Sequence, residues 1–151
     1  MNKVIVQSLP DHRYTVLAND ERHALIADEG VSDGGDDLGP SPHELMLASL
    51  GACTAITLRM YAERKQWALY EVSVHLTHEK VAASACTDCT PEELAAVDGQ
   101  GRIDLIQSNI SVRGDLTAEQ TQRLLEIAER CPVHRLLAGR PRIVSGITGG
   151  P

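Results

Sequence analysis

Short apolar runs crowd the first third of the chain. Val4-Ile5-Val6, Tyr14-Thr15-Val16-Leu17 and His23-Ala24-Leu25-Ile26-Ala27 are separated by turn chemistry at Pro10-Asp11 and Asn19-Asp20, which predicts three short strands. Residues 28–40 carry Gly30, Gly34, Gly35 and five acidic residues, the composition of a polar loop. From Ser41 the period changes. Ser41 is a good N-cap, Pro42 suits the first helical position and Glu44 completes a capping box. Leu45 to Met60 is then apolar nearly all round, interrupted by Ser49, Thr54, Thr57 and Arg59. Such a helix is expected to be buried on most sides. Running to Lys65 it is on the order of 35 Å long, enough to cross a small domain. One chain of 151 residues has little left to wrap it, so a second copy is expected to help.

Beyond the helix, Tyr70 to His78 alternates, with Val72, Val74 and Leu76 on one face. Thr90-Pro91-Glu92-Glu93 is a second capping box and predicts a short helix. Ile103 to Val112 reads as a strand, and Thr117 with Gln120 caps a helix over 118–130 whose Leu124, Ile127, Ala128 and Cys131 share a face turned to the core. Pro132 opens a further turn through Leu137, and Ile143-Val144 is expected as a closing strand. The order of elements is α+β, in one domain over 1–151.

Composition narrows the function. With no Phe, one Trp and three Tyr, the chain has little with which to stack single-stranded bases, and a net charge of −7 disfavours a phosphate-binding face. No nucleic-acid partner is expected. Met1-Asn2-Lys3 leads into a strand rather than a signal peptide, and no apolar stretch is expected to lack charges for long enough to span a bilayer. The expected location is cytoplasmic, where cysteines are thiols by default.

The candidate chemistry lies in those cysteines. Cys53 sits inside the long helix, and Cys131 sits where the next long helix ends against Pro132. A thiol attacks as thiolate, and Cys131 has the stronger local case, with the backbone of the Pro132 turn and Arg130, His134 and Arg135 nearby. Gly51, two residues before Cys53, costs a helix roughly 1 kcal/mol relative to Ala, tolerable if something packs closely there. The plain alternative is that each buried cysteine is a small hydrophobe.

The block Gly39-Pro40-Ser41-Pro42, Glu44-Leu45 and Gly51-Ala52-Cys53-Thr54, together with Gly114-Asp115-Leu116 and Cys131-Pro132-Val133-His134, resembles the OsmC/Ohr family, the osmotically induced protein C and organic hydroperoxide resistance proteins. The resemblance covers nearly the whole chain. It implies an OsmC-like fold, an antiparallel sheet with a long buried central helix and a second C-terminal helix, assembled as an intertwined homodimer. It implies a thiol peroxidase without cofactor or metal, in which Cys53 attacks a small, organic hydroperoxide and Cys131 resolves the sulfenic acid as a disulfide. An external dithiol, lipoylated in the well-studied branch, would reduce that disulfide.

The sequence departs from the peroxidase branch, which places a glutamate directly after the helix-opening proline and an arginine of the N-terminal hairpin beside the nucleophile. The aligned residue here is His43, with Glu44 one step on and better explained as a cap. His43 lies about 15 Å along the axis from Cys53, within reach only of a partner chain's Cys53. Arg22 is the preferred arginine and Arg13 the alternative. The departures keep open a second class of function, a redox-sensing or small-molecule-binding protein on the same scaffold.

A rival constellation is Cys86-x-x-Cys89 with His75-x-x-His78 upstream, a permissive zinc spacing. Against it, His75 and His78 fall on opposite faces of a regular strand. The same CxxC reads as a second dithiol able to relay electrons to the Cys53–Cys131 pair, or as two plain cysteines beside a capped helix. His12 and His23 read as surface residues, and His134 as a tuner of Cys131 or a structural hydrogen-bond partner.

Overall fold

The turn chemistry at both ends of Val16–Asn19 folds the N-terminal segment into a meander. In the computed structural model, which describes residues 2–139 and 141–149, β1 (Ile5–Ser8), β2 (Val16–Asn19) and β3 (Ala24–Ala27) form an antiparallel three-stranded sheet in that order. Leu17 stands opposite both Gln7 and Ile26, which fixes the register. The acidic loop that follows is organised by Asp28, which is 2 % exposed. Its carboxylate accepts the Thr15 hydroxyl at 3.0 Å and the backbone N–H groups of Glu29, Asp36 and Leu38. Burial alone would raise this carboxyl, but the four donors outweigh it and hold it below the ordinary range.

Helix α1 (Pro42–Lys65) starts where the capping box predicts. Ser41 N–H and Oγ both donate to Glu44 Oε2, at 2.7 and 2.9 Å, and Glu44 N–H returns to Ser41 Oγ at 3.3 Å. These contacts and the three-stranded sheet belong to one compact unit, residues 1–49; residues 50–151 form the other.

In the second unit, β4 (Ala68–Ala82) and β5 (Arg102–Asp115) pair antiparallel as a long two-stranded ribbon. Both strands run further than the apolar alternation predicts. The register shifts between Leu69 and Glu71, opposite Gly114. A side-chain carbon on Gly114 would come within 2.1 Å of the Ala68 carbonyl oxygen, so only glycine allows this close approach. Helix α3 (Ala118–Ala128), capped by Thr117 and Gln120, presents Leu124, Ile127 and Ala128 to the Leu50–Lys65 part of α1. They close a core with Leu58 and Tyr61, flanked by Trp67, Leu69, Val72, Ile110, Val112 and Leu116. The Trp67 ring meets Tyr61 edge-on at 5.5 Å.

The 83–101 segment joins β4 to β5 through a 3₁₀ turn (Ala83–Ala85) and α2 (Pro91–Leu94), which has the predicted Thr90–Glu93 capping box. The chain then turns at Cys131 into α4 (Pro132–Ala138).

Three expectations need correcting. Ile143-Val144 is not a strand: residues 141–149 have no regular structure, and Ile143 and Val144 are 83 % and 78 % exposed. An apolar pair lacks ladder partners of its own, and none is supplied to it here. Helix α1 is also less covered than its all-round apolarity suggests. Leu50, Thr54, Leu58, Tyr61 and Ala62 are buried, while Ile56 and Met60 are 57 % and 65 % exposed. Finally, α1 does meet the length and apolarity of a membrane span, because its apolar stretch lies between the charges of Glu44 and of Arg59 to Lys65. The core helix of a soluble protein meets the same criterion.

Candidate active site: a thiol pair between two helices

Cys53 and Cys131, far apart in sequence, meet. Cys131 is fully buried and Cys53 half-buried, both as free thiols, and their side chains are close enough to shift each other's acidity. Local structure explains why each is there. Cys53 projects from α1 three residues after the buried Leu50 and one before the buried Thr54, at the edge of the core-facing stripe. Cys131 is held by its N–H to the Ala128 carbonyl at 3.1 Å and serves as the N-cap residue of α4. Pro132 then turns the next N–H groups back over the sulfurs.

The two sulfurs share those donors unequally. Burial raises Cys131, but the Cys53 thiol, the N–H groups of His134 and Val133 and the Thr54 hydroxyl converge on it, and the balance is downward. Cys53 is raised, first by burial and then by Cys131 as an anionic neighbour, against smaller help from Val133 N–H and the Thr57 hydroxyl. Of the two thiols, Cys131 is therefore the more acidic and Cys53 the less. Exposure runs the other way, since Cys53 is the sulfur a solute can reach. His134 acts on Cys131 through its backbone N–H.

Gly51 has its reason in β4. A side-chain carbon there would lie 3.1 Å from Leu76 Cδ1, so the ribbon sits against the helix one half-turn before Cys53. Beside the thiols, a groove of about 910 Å³ opens along Thr57, Met60, Tyr61, Ile127 and Pro132, with Arg123 and Arg130 at its wall. Arg123 Nε donates to the Tyr61 hydroxyl at 3.2 Å.

The site is built from the second unit alone. Arg22 stands exposed in the β2–β3 turn, where its N–H donates to Asp20 Oδ1, and Arg13 lies over the Tyr14 ring at 5.0 Å. His43 is exposed in the first turn of α1. Glu44 is occupied by the cap, which holds its carboxyl below the usual range. Sequence reasoning missed Thr54 and Thr57. Their spacing, one and four residues after Cys53, places the latter over the thiol on the same helical face, a signal that was available.

Among the described residues, no group of three or more His, Cys, Asp or Glu gathers as a metal site. His78 Nε2 is 2.9 Å from Asp104 and His75 contacts Ser73, on opposite faces of β4. Cys86 and Cys89 are joined to each other in a disulfide, so the expectation that every cysteine is a thiol fails at this pair.

A family model described as OsmC-like protein matches residues 34–145. Solved structures share the fold at low identity. An OsmC-like protein from Mycoplasma pneumoniae aligns with TM-score 0.69 and 16 % identity over 93 % of this chain and 89 % of that one. An organic hydroperoxide resistance protein OsmC from Legionella pneumophila, also described as a predicted redox protein, aligns with TM-score 0.62 and 20 % identity over 92 % and 90 %. A putative organic hydroperoxide resistance protein from Vibrio cholerae, with captopril bound in one of its active sites, gives TM-score 0.60 and 19 % identity over 91 % and 85 %. No curated protein sequence matches the chain.

Proposed function

The chain belongs to the OsmC-like family, and from that premise we propose that it is a two-cysteine thiol peroxidase that reduces organic hydroperoxides in the cytoplasm. The observation that carries the reading is the apposition of Cys53 and Cys131, one half-buried and the other fully buried among donors.

Cys53 attacks the outer peroxide oxygen as thiolate, its proton passing to the departing alkoxide. The O–O bond breaks, the alkoxide takes up a proton and leaves as alcohol, and the Cys53 sulfur is oxidised by two electrons to a sulfenic acid. Cys131, its negative charge supported by Thr54 and the Val133 and His134 N–H groups, attacks that sulfur. Hydroxide departs as water and the disulfide closes. An external dithiol, such as one carried on a lipoylated protein, returns both sulfurs to thiols. The adjoining groove accepts the organic part of the peroxide against Met60, Tyr61 and Ile127. The exposed Ile56 and Met60 favour a homodimer in which a second copy covers α1; in such a dimer the partner's His43 is the one within reach of Cys53.

A second reading, a one-shot redox sensor, is favoured by one observation: the thiol that a peroxide can reach is the one whose acidity is weakened. Intact mass under non-reducing conditions, before and after one equivalent of cumene hydroperoxide, tests the peroxidase. Wild type is expected to lose two hydrogens, Cys131→Ser to gain one oxygen, and Cys53→Ser to leave that pair unchanged. Turnover with excess dithiol separates the enzyme from the sensor, which consumes a single equivalent. If no variant reacts, both redox readings fail.

A further inference from the structure

The Cys86–Cys89 disulfide has no part in the chemistry above, and its surroundings are unlike those of a structural staple. It closes a loop of only three residues' separation, with Cα atoms 5.7 Å apart. Both cysteines are half-buried and the intervening Thr87 and Asp88 are exposed. Neither the 3₁₀ turn before it nor α2 after it contains a buried residue. The segment is already held by other means. Ala83 N–H bonds to the Gly101 carbonyl at 3.0 Å, and Thr90 and Glu93 form the reciprocal cap. Asp98 gathers Gln100 N–H, Arg102 N–H and Nε, and Lys80. A bond that a solute can reach, and that the fold does not need, is one that can open and close in the native protein.

We propose that Cys86 and Cys89 are a second redox couple, a dithiol–disulfide exchange site at the turn of the β4–β5 ribbon. It acts separately from Cys53 and Cys131, and the proposal does not rest on the peroxidase reading. Separation follows from the ribbon itself. Leu76 lies against Gly51, close to Cys53, whereas the disulfide lies beyond Ala82, six residues and about 20 Å further along the strand. Thiol exchange needs sulfurs in contact, so a direct relay within one copy is ruled out.

The partner class is a dithiol: its second thiol, held in the mixed disulfide at high effective concentration, completes the exchange, whereas a monothiol such as glutathione needs a second encounter. One thiolate of the reductant attacks one sulfur of the cystine, the S–S bond breaks and the other cysteine leaves as thiolate. The reductant's second thiol, on losing its proton, attacks the mixed disulfide, and the first cysteine leaves. Two electrons pass to Cys86 and Cys89, both of which take up protons, and the reductant departs as a cyclic disulfide. Opening frees the turn that leads into the Thr90 cap.

The test uses the Cys53→Ser/Cys131→Ser chain, purified without reductant and equilibrated with reduced and oxidised dithiothreitol at a series of ratios. After acid quench and alkylation, intact mass is expected to show zero or two added groups, a midpoint within the series, and the same curve from both directions. Amide exchange over 86–96 should rise on the order of tenfold on reduction, as the short loop opens. Glutathione at equal thiolate concentration should act at least several-fold more slowly. Two thiols already free at the outset, or a bond that opens only when the whole protein unfolds, would overturn the proposal; equal rates for glutathione would overturn its dithiol class. The peroxidase reading fails or stands apart from this, because Cys86→Ser/Cys89→Ser should leave single-turnover oxidation of Cys53 unchanged.

Discussion

At the scale of single residues, the two thiols make each other what they are. The negative charge on Cys131 is one reason Cys53 is raised, so removing it should move Cys53 the other way. In Cys131→Ser, the pH profile for iodoacetamide alkylation of Cys53 is expected to shift to lower pH than in a chain with both thiols. A profile that stays in place or rises would show that burial alone sets it. Thr57→Val keeps the volume and deletes one donor to the Cys53 thiolate. A hydrogen bond of this kind contributes roughly 0.5–1.5 kcal/mol, so alkylation at neutral pH should slow by about threefold to tenfold, with little change in unfolding midpoint. These partnerships explain how far the site was legible. Cys53 and Cys131 stand out by local context, which suggests a redox pair closed by the fold, yet nothing in their spacing says that they touch; the roles of nucleophile and resolver rest on the family resemblance. The order in which they ionise is a balance of donors from two helices, which no single segment encodes.

At the scale of elements, local signals were reliable wherever the element satisfies itself. The capping boxes at Ser41, Thr90 and Thr117 form as predicted because each uses groups three residues apart. Ile143-Val144 fails for the opposite reason, since a strand is completed by a neighbour rather than by its own sequence. Gly114 and Gly51 lie between these cases: each marks a close approach, whose partner only the fold identifies. Gly114→Ala drives a methyl into the Ala68 carbonyl, backbone that has nowhere to move, and should destabilise by about 2–3 kcal/mol in urea. Gly51→Leu overpacks against Leu76, at a cost of about 1–3 kcal/mol. The turn of the ribbon has a pH limit as well. Asp98 is lowered to about 2, first by the Arg102 and Gln100 N–H groups. A carboxylate more acidic in the folded state stabilises above its unfolded value of 3.8 and loses that contribution as pH falls toward 2. Amide protection over 98–102 should therefore decline through that window, and Asp98→Asn should remove the dependence.

At the scale of the whole molecule, the question is what a mostly apolar helix is for when one side of it is uncovered. Leu50, Leu58 and Tyr61 anchor α1 in a core with α3, but Ile56 and Met60, on the same helix, face out. A helix committed to one chain's core would carry polar residues at those positions. The helix's resemblance to a membrane span in length and composition reflects the same distribution: its charges lie toward the ends and leave both long faces apolar. A second copy accounts for this with the fewest added parts. It brings apolar surface of identical chemistry and an exchange of contacts by two-fold symmetry. Ile56→Asp combined with Met60→Asp places two carboxylates on that surface while sparing Leu58 and Thr54. Size exclusion with light scattering is expected to show a dimer for the natural chain and a monomer for the variant. Because Cys53, Thr54 and Thr57 all lie on this helix, the monomer should expose Cys53 more than the dimer does, so that its alkylation quickens while Cys131, buried within the single chain, stays protected. A natural chain that runs as a stable monomer would overturn the assignment and leave the outer face of α1 for some other apolar partner.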